Sequence, residues 1–347
     1  SKKLNMSHKN LSVKIKIPKI LQDKLNNKKV NQIYKKFEES VDLKNNFIVA
    51  VSGGPDSLAL AFLAKVFSIK NNLVSKFYIV DHKLRSGSTK EAQSVKKVLK
   101  RYLINAEILT WKGNKPSKNI QSLARSKRFE LLFEKAEKMK ICDILLGHHQ
   151  DDLFENFFIR LLRGSGLKGL VSLDKKSTIN GKNLIRPLLD QKKENLIFLS
   201  NYVYNFYIKD PFNKDEKYKR IQIRNLIQKL NNEGLDENKF KKTIQNLKSA
   251  NESIDFYVNE NLRKNTFYLS KNQKLILNED FFNQSQEVIF RSFSDSIKLI
   301  GNRYYATRGK KLSKVIELIQ NKRLFKATLG SCVIERVNQT VIISKEQ

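Results

Sequence analysis

Between residues 47 and 162 short β-rich runs alternate with helical stretches, and this rhythm constrains the fold more than any other feature of the chain. Phe47-Ile-Val-Ala-Val51 reads as a buried strand, 57–69 as a helix and Phe77-Tyr-Ile-Val80 as a second strand. Ser88-Thr-Lys-Glu91 has the spacing of a capping box and opens a helix to about Arg101. Residues 106–111 give a third strand, 119–140 a long helix, Ile144-Leu-Leu146 a fourth strand and 151–162 a further helix. Such alternation predicts an α/β fold, a doubly wound and mostly parallel sheet. Ligands then bind beyond the carboxyl ends of the strands.

The rhythm changes near Asn231-Asn-Glu-Gly234. Residues 226–256, 278–300 and 309–320 read as helices, and 332–335 with 340–344 as a hairpin around Asn338-Gln339. The expected organisation is a basic N-terminal extension over 1–45, a catalytic domain over 46–235, and a helical region with a small C-terminal α+β domain over 236–347. Within the extension, Ile33, Phe37 and Val41 recur every four residues and suggest a short amphipathic helix. No internal repeat is visible.

Charge narrows the partner. Lys and Arg number 67 against 34 Asp and Glu, a net +33 over 347 residues. The excess is spread, +8 over 1–50, +18 over 51–230 and +7 over 231–347. A long basic surface of this kind is the footprint of nucleic acid. Only 15 of the basic residues are Arg, and seven of these lie between Arg125 and Arg224. Arg is the residue suited to gripping phosphate or carboxylate in a planar fork. Two isolated cysteines, Cys142 and Cys332, exclude a disulfide scaffold and a multi-Cys zinc or iron–sulfur site. No run of about 18 apolar residues exists, so no membrane span is expected. Ser1 to Asn10 has no apolar signal region, and the cytoplasm is the expected compartment.

Ser52-Gly-Gly-Pro-Asp-Ser57 directly follows the first strand and opens the first helix. Gly53 and Gly54 let backbone N–H groups approach an anion, Ser52 and Ser57 add hydroxyls, and the helix N-terminus adds partial positive charge. The segment is a phosphate cradle. It is not a Walker loop, because no Gly-Lys-Ser/Thr follows, and it is not the dinucleotide fingerprint.

This segment resembles the Ser-Gly-Gly-x-Asp-Ser loop of the PP-loop ATP pyrophosphatases, a Rossmann-like fold. Further motifs follow in order: Val80-Asp-His-Lys-Leu-Arg85, Ala124-Arg125-Ser-Lys-Arg128-Phe129, Gly147-His-His-Gln-Asp-Asp152 with Glu155, and Arg160-Leu-Leu-Arg-Gly-Ser-Gly166. Together they resemble the tRNA(Ile)-lysidine synthetase family from about Ile48 to Leu189, and more weakly through Asp210-Pro-Phe-Asn213 and Tyr218-Lys-Arg220 to Arg224. The chain departs from the family at Asn156, Phe212 and Ile221, where Thr, Ser and Asn are usual.

The resemblance implies a two-step reaction. ATP adenylates the carbonyl at carbon 2 of the wobble cytidine of tRNA(Ile) with a CAU anticodon, and free L-lysine then displaces AMP. It implies ATP contacts at Ser52, Gly53, Gly54, Pro55, Asp56, Ser57, Asp81, His82, Gly147 and His148, tRNA or substrate contacts at Arg160 and Arg163, and it hints at a homodimer. The residue types fit. Asp152 and Glu155 share a helix face and can hold an ammonium and help to deprotonate it. Arg125 and Arg128 can grip the α-phosphate. Asp56, a carboxylate in a cationic cradle, suits Mg²⁺ bridging to phosphates. Arg220 and Arg224, one helical turn apart, suit RNA phosphates or the target base.

Blander alternatives accompany each. His148-His149 with Asp151-Asp152 could be a metal site, Arg125 and Arg128 could pair with Glu130 or Glu134, and Arg163-Gly-Ser-Gly166 could be a helix C-cap. Trp111 suits core or rim packing better than base stacking. Among whole functions, a tRNA 2-thiolase would want paired cysteines, a non-catalytic RNA binder would not need the cradle, and a small-metabolite ligase would not need the charge.

Overall fold

The computed structural model describes residues 16–84, 87–113, 120–209, 219–302 and 309–346. Arg85, the Asp210-Pro-Phe212-Asn213 motif and Tyr218 lie outside the described residues. The chain divides into two compact units, Ser1–Leu235 and Asp236–Gln347.

The first unit is built on a six-stranded sheet: β1 (Phe47–Val51), β2 (Ser75–Asp81), β3 (Ala106–Thr110), β4 (Asp143–Leu145), β5 (Lys176–Ile179) and β6 (Lys182–Ile185), in the order β3-β2-β1-β4-β6-β5. All neighbours pair in parallel except the β5–β6 edge hairpin. The chain steps outward from β1 through β2 to β3, then crosses back to β4 on the other side of β1. That reversal opens a crevice between the ends of β1 and β4, where ligands of such sheets bind. Helix α3 (Pro55–Lys70) is apolar almost all round and buries eleven residues from Ser57 to Ser68, as a central helix must.

The lead-in differs from an appended extension. Helices α1 (Lys19–Leu25) and α2 (Lys28–Ser40) bury Leu21, Leu25, Val30, Ile33, Tyr34 and Phe37 in the same core as Phe47 and Phe67. Asn27 caps α2, its Oδ1 accepting from the amides of Lys29 and Val30. Edge-on contact joins the rings of Phe37 and Phe67, 6.0 Å apart. Residues 18–40 therefore complete the first unit, and the division expected at 45 has no structural counterpart.

The capping box is also corrected. Helix α4 (Ser88–Arg101) starts after Gly87, whose φ is +94°, with no side-chain cap. Asp81 takes the Ser88 hydroxyl instead, at 2.8 Å, and the Thr89 hydroxyl at 2.6 Å. A hydrogen bond to an ionised carboxylate outcompetes one to a backbone amide. Helices α5 (Ile120–Lys138) and α6 (Gln150–Leu161) fall within a residue or two of expectation. The sequence reading missed the β5–β6 hairpin, the short α7 (Leu167–Leu170) and α8 (Lys193–Tyr204).

The helical stretch expected over 226–256 is two helices, α9 (Lys219–Asn232) and α10 (Glu237–Asn265). Gly234 at φ +98° breaks them, and Asp236 caps the second by accepting from Asn238 and Lys239 amides. In the second unit an antiparallel sheet runs β7-β8-β11-β10-β9, with β7 (Thr266–Leu269), β8 (Lys274–Leu277), β9 (Lys326–Leu329), β10 (Cys332–Val337) and β11 (Thr340–Lys345). Its core gathers Leu277, Phe281, Phe293 and Ile334, with α11 (Gln286–Gly301) and α12 (Gly309–Gln320) contributing Ile289 and Leu312. The expected terminal hairpin is β10–β11. The helix expected from 278 begins only at Gln286, because Asn278 turns residues 279–282 into a separate 3₁₀ turn by accepting from the Phe281 amide.

Candidate active site

The Ser52–Ser57 loop wraps the N-terminus of α3. Ser57 Oγ accepts from the amides of Ser52 and Gly53, both at 3.1 Å, and donates to the Gly54 carbonyl at 3.0 Å. Two of the cradle's amides are therefore held by its own hydroxyl, and Gly54 starts α3 without a side-chain cap. Gly53 sits at φ +87°, where a Cβ would stand 2.7 Å from Val95 and 2.9 Å from Ile208. Gly147, just past β4, is also tightly placed, though without a positive φ. A Cβ there would lie 3.2 Å from the Ser57 amide and 3.3 Å from the Asp56 carbonyl. The end of β4 thus packs against the cradle backbone, closely enough that a side chain at Gly147 would push that backbone aside by a few tenths of an ångström.

Among the described residues, Asp56 Oδ1, His82 Nδ1 and His148 Nδ1 are buried without a hydrogen-bond partner. They follow β1, β2 and β4, three adjacent strands. Buried polar atoms are ordinarily satisfied, so three orphans that follow adjacent strands at the switch point of the sheet mark a candidate ligand site. Burial, then the Arg128 charge, pushes the His82 imidazole down to about 4, against a smaller opposite pull from Asp81. Burial also holds His148 well below the ordinary imidazole value. Both rings are neutral at pH 7 and can donate or accept toward a nucleotide. Trp111 meets His82 edge-on at 6.4 Å, which makes it part of the site's rim. Asp81 is spent on Ser88, Thr89 and the Lys83 amide. It shapes the loop that carries His82.

Asp56 is the odd group of the cradle. Burial raises its pKa and Asp152 and Asp151 add to that, while His149 and Lys193 partly offset it. His149 Nε2 stands 3.6 Å from Asp56 Oδ2 and 3.5 Å from Asp152 Oδ2, linking the loop to the first turn of α6. Although burial alone would depress it, the hydrogen bond with Asp151 and the charges of Asp152 and Asp56 raise the His149 pKa. A half-buried carboxylate with one orphaned, buried oxygen and two acidic neighbours fits a cation such as Mg²⁺. Among the described residues no group of three or more His, Cys, Asp or Glu has metal-binding geometry, so Asp56 would hold such an ion together with phosphate oxygens.

Asp152 and Glu155 do come together on α6, and they hold cations. Arg220 reaches Asp152 Oδ1 at 2.8 Å and Glu155 Oε2 at 2.7 Å, and Arg224 reaches Glu155 Oε1 at 2.5 Å. Glu155 is 1 % exposed. The two arginines read as RNA contacts thus tie α9 to α6. Burial would raise Asp152, but His149, His148 and Arg220 outweigh it and keep the carboxyl ionised.

Arg125 and Arg128 reach solvent from α5, and the protein crowds around them. Burial, then Arg220 and Arg160, lower the Arg125 guanidinium pKa against an opposite pull from Asp152, and burial, then Arg125 and Arg220, lower that of Arg128. Arg125 also lies over the Phe129 ring at 5.5 Å. Like charges assembled this closely favour a bound polyanion. Arg160 joins this cluster. Arg163 lies exposed on the turn closing α6, where Gly164 takes φ +66°, so this segment does act as a helix C-terminal stop.

Three site groups escaped the sequence reading. His149 was visible only as one of two histidines, without the geometry that aims it at Asp56. Lys193, at the start of α8, acts on Asp56 and Asp151. Arg186 follows β6, a strand that was not recognised.

Residues 23–230 match the PP-loop domain family. The tRNA(Ile)-lysidine synthase of Wolbachia sp. subsp. Brugia malayi is 30% identical over 305 residues, covering 87% of this chain and 71% of that protein. The tRNA(Ile)-lysidine synthase of Orientia tsutsugamushi is 32% identical over 319 residues, covering 89% and 71%. Among solved structures, the U34-tRNA thiolase NcsA from Methanococcus maripaludis shares the fold with a TM-score of 0.54 at 16% identity, over 62% of this chain and 79% of that one.

Proposed function

From the premise that the chain belongs to the PP-loop family and, within it, to the tRNA(Ile)-lysidine synthases, we propose that it joins free L-lysine to carbon 2 of the wobble cytidine of tRNA(Ile) with a CAU anticodon. It is an ATP-binding, ligase-type tRNA-modifying enzyme. The observation that carries the finer reading is that Asp56 Oδ1, His82 Nδ1 and His148 Nδ1, which follow three adjacent strands around the glycine cradle, are all buried and unpartnered.

In the first step the cytidine oxygen attacks the α-phosphorus of ATP. The bond to the bridging oxygen breaks, and pyrophosphate leaves with its electron pair. The cradle amides and the α3 N-terminus hold the departing diphosphate. Arg125 and Arg128 neutralise charge building on the α-phosphate. Mg²⁺ at Asp56 would supply further neutralisation of the phosphates. In the second step the lysine ε-amine attacks carbon 2 and AMP leaves. The ε-ammonium must shed a proton to become a nucleophile, and Asp152, kept ionised, holds it where that proton is lost to solvent. The ammonium competes there with Arg220 for one carboxylate, while Glu155 stays anchored to α9.

The spread of positive charge supports tRNA as the partner. The second unit adds exposed Phe256, Tyr257, Phe267 and Tyr268, aromatic faces suited to stacking on RNA bases. Incubation with ATP, radiolabelled lysine and tRNA(Ile)(CAU) should convert lysine to an acid-precipitable form, with one AMP and one pyrophosphate per lysine. Lysine that stays acid-soluble sinks the assignment.

A further inference from the structure

The row of orphaned polar atoms does not end at the nucleotide site. His82 Nδ1, Asp56 Oδ1, His148 Nδ1 and Arg186 Nε are all buried without a partner. They follow β2, β1, β4 and β6, four consecutive neighbours in the sheet. The first three positions are accounted for by nucleotide. The fourth is not.

Arg186 is 5 % exposed. Its Nη1 donates to the Asp174 carbonyl at 2.8 Å, the Ser177 hydroxyl at 3.0 Å and the Leu184 carbonyl at 3.5 Å. All three are uncharged oxygens, and among the described residues no carboxylate forms an ion pair with it. Burial, then Arg125, pulls its pKa down to about 10, against a smaller opposite pull from the Asp174 carboxylate. A buried cation in ion-pair contact with no carboxylate is costly, and such a group is kept where a ligand completes its charge. The three bonds fix the guanidinium plane and leave the Nε edge free, which is the donor set for a planar oxyanion taken side-on.

Backbone pairing fixes its neighbours. The Leu146 amide donates to the Ile185 carbonyl at 2.8 Å, and His149 bridges Leu188 in parallel register. Arg186 and Pro187 therefore run beside Gly147 and His148, and the charges of both Arg186 and Asp152 act on His148. A fixed cation and an ionised carboxylate flanking one residue match a zwitterion. The phosphates already have the cradle, Arg125 and Arg128.

Resting on the lysine-ligation reading above, we propose that Arg186 binds the α-carboxylate of the incoming amino acid and so selects lysine over simple amines. The test compares L-lysine with 1,5-diaminopentane, the same terminal amine without the carboxylate, in the complete reaction with tRNA(Ile)(CAU) and ATP. The wild type should prefer lysine by about 10–100-fold in kcat/KM, the worth of a charge-assisted hydrogen bond. Arg186→Gln should collapse that ratio toward one by raising the KM for lysine, and Arg186→Lys should restore part of it. Wild-type enzyme that uses the diamine as well as lysine overturns the proposal, with no variant needed. A ratio unchanged in Arg186→Gln makes the residue structural, and a raised KM for ATP with the ratio intact assigns it to a phosphate. No lysine incorporation by the wild type fails the ligation reading itself, a separate result from indiscriminate use.

Discussion

Asp56 shows how one side chain can be read twice. Its place two residues after the glycine pair was legible because the cradle is local: strand, loop and helix follow one another within a dozen residues. Its electrostatic setting was not legible, since Asp151, Asp152, His149 and Lys193 come from α6 and α8, far along the chain. A desolvated carboxylate among other carboxylates does little for stability and much for cation binding. Asp56→Ala should therefore leave the melting temperature unchanged or slightly higher. It should slow single-turnover lysidine formation by roughly 10²–10³, the loss typical of one electrostatic catalytic group, with tRNA affinity by filter binding intact. Lost tRNA affinity would show that the cradle has been misread. Arg186 is the opposite case, because nothing in Ile185-Arg-Pro-Leu-Leu reveals that its strand pairs with β4.

At the scale of elements, local signals were readable and competing ones were not. The β1–loop–α3 unit, α5, α6 and the β10–β11 hairpin each carry their periodicity within one segment. The capping box at Ser88 failed because a carboxylate on the preceding strand bids for the same hydroxyl. The break at Gly234 was marked by glycine, yet the helices on either side read as one stretch. In the lead-in the amphipathic helix at Ile33 and Phe37 was legible, but not that its apolar face joins the core of the first unit, where Tyr34 and Phe37 are 1 % and 0 % exposed. Phe37 also touches Phe67 of the central helix, whose N-terminus forms the cradle. Phe37→Ala should then cost about 3–5 kcal/mol in urea unfolding, as for a fully buried ring. A change below about 0.5 kcal/mol, the range of surface substitutions, would mean that α2 is an appendage after all.

The whole molecule carries +33 in stretches on every part of the chain, and local pairing does not exhaust it. Glu155 and Asp152 engage Arg220 and Arg224, but Arg125, Arg128, Arg160 and Arg186 crowd the same unit with their pKa values, where shifted, moved down and not up. Cations that destabilise one another gain when a polyanion arrives, and the counterions released from its phosphates drive association. If six to ten tRNA phosphates are neutralised, affinity should fall by about 10³–10⁵ between 50 and 200 mM salt. The ATP cradle, by contrast, relies on backbone amides inside a crevice, which salt screens far less. Titrating tRNA and ATP separately over that range should give a steep line for the first and a shallow one for the second. A flat tRNA response would mean that the basic surface faces something other than RNA, and equal slopes would place the phosphate cradle in open solvent, where its orphaned atoms would have no reason to be buried.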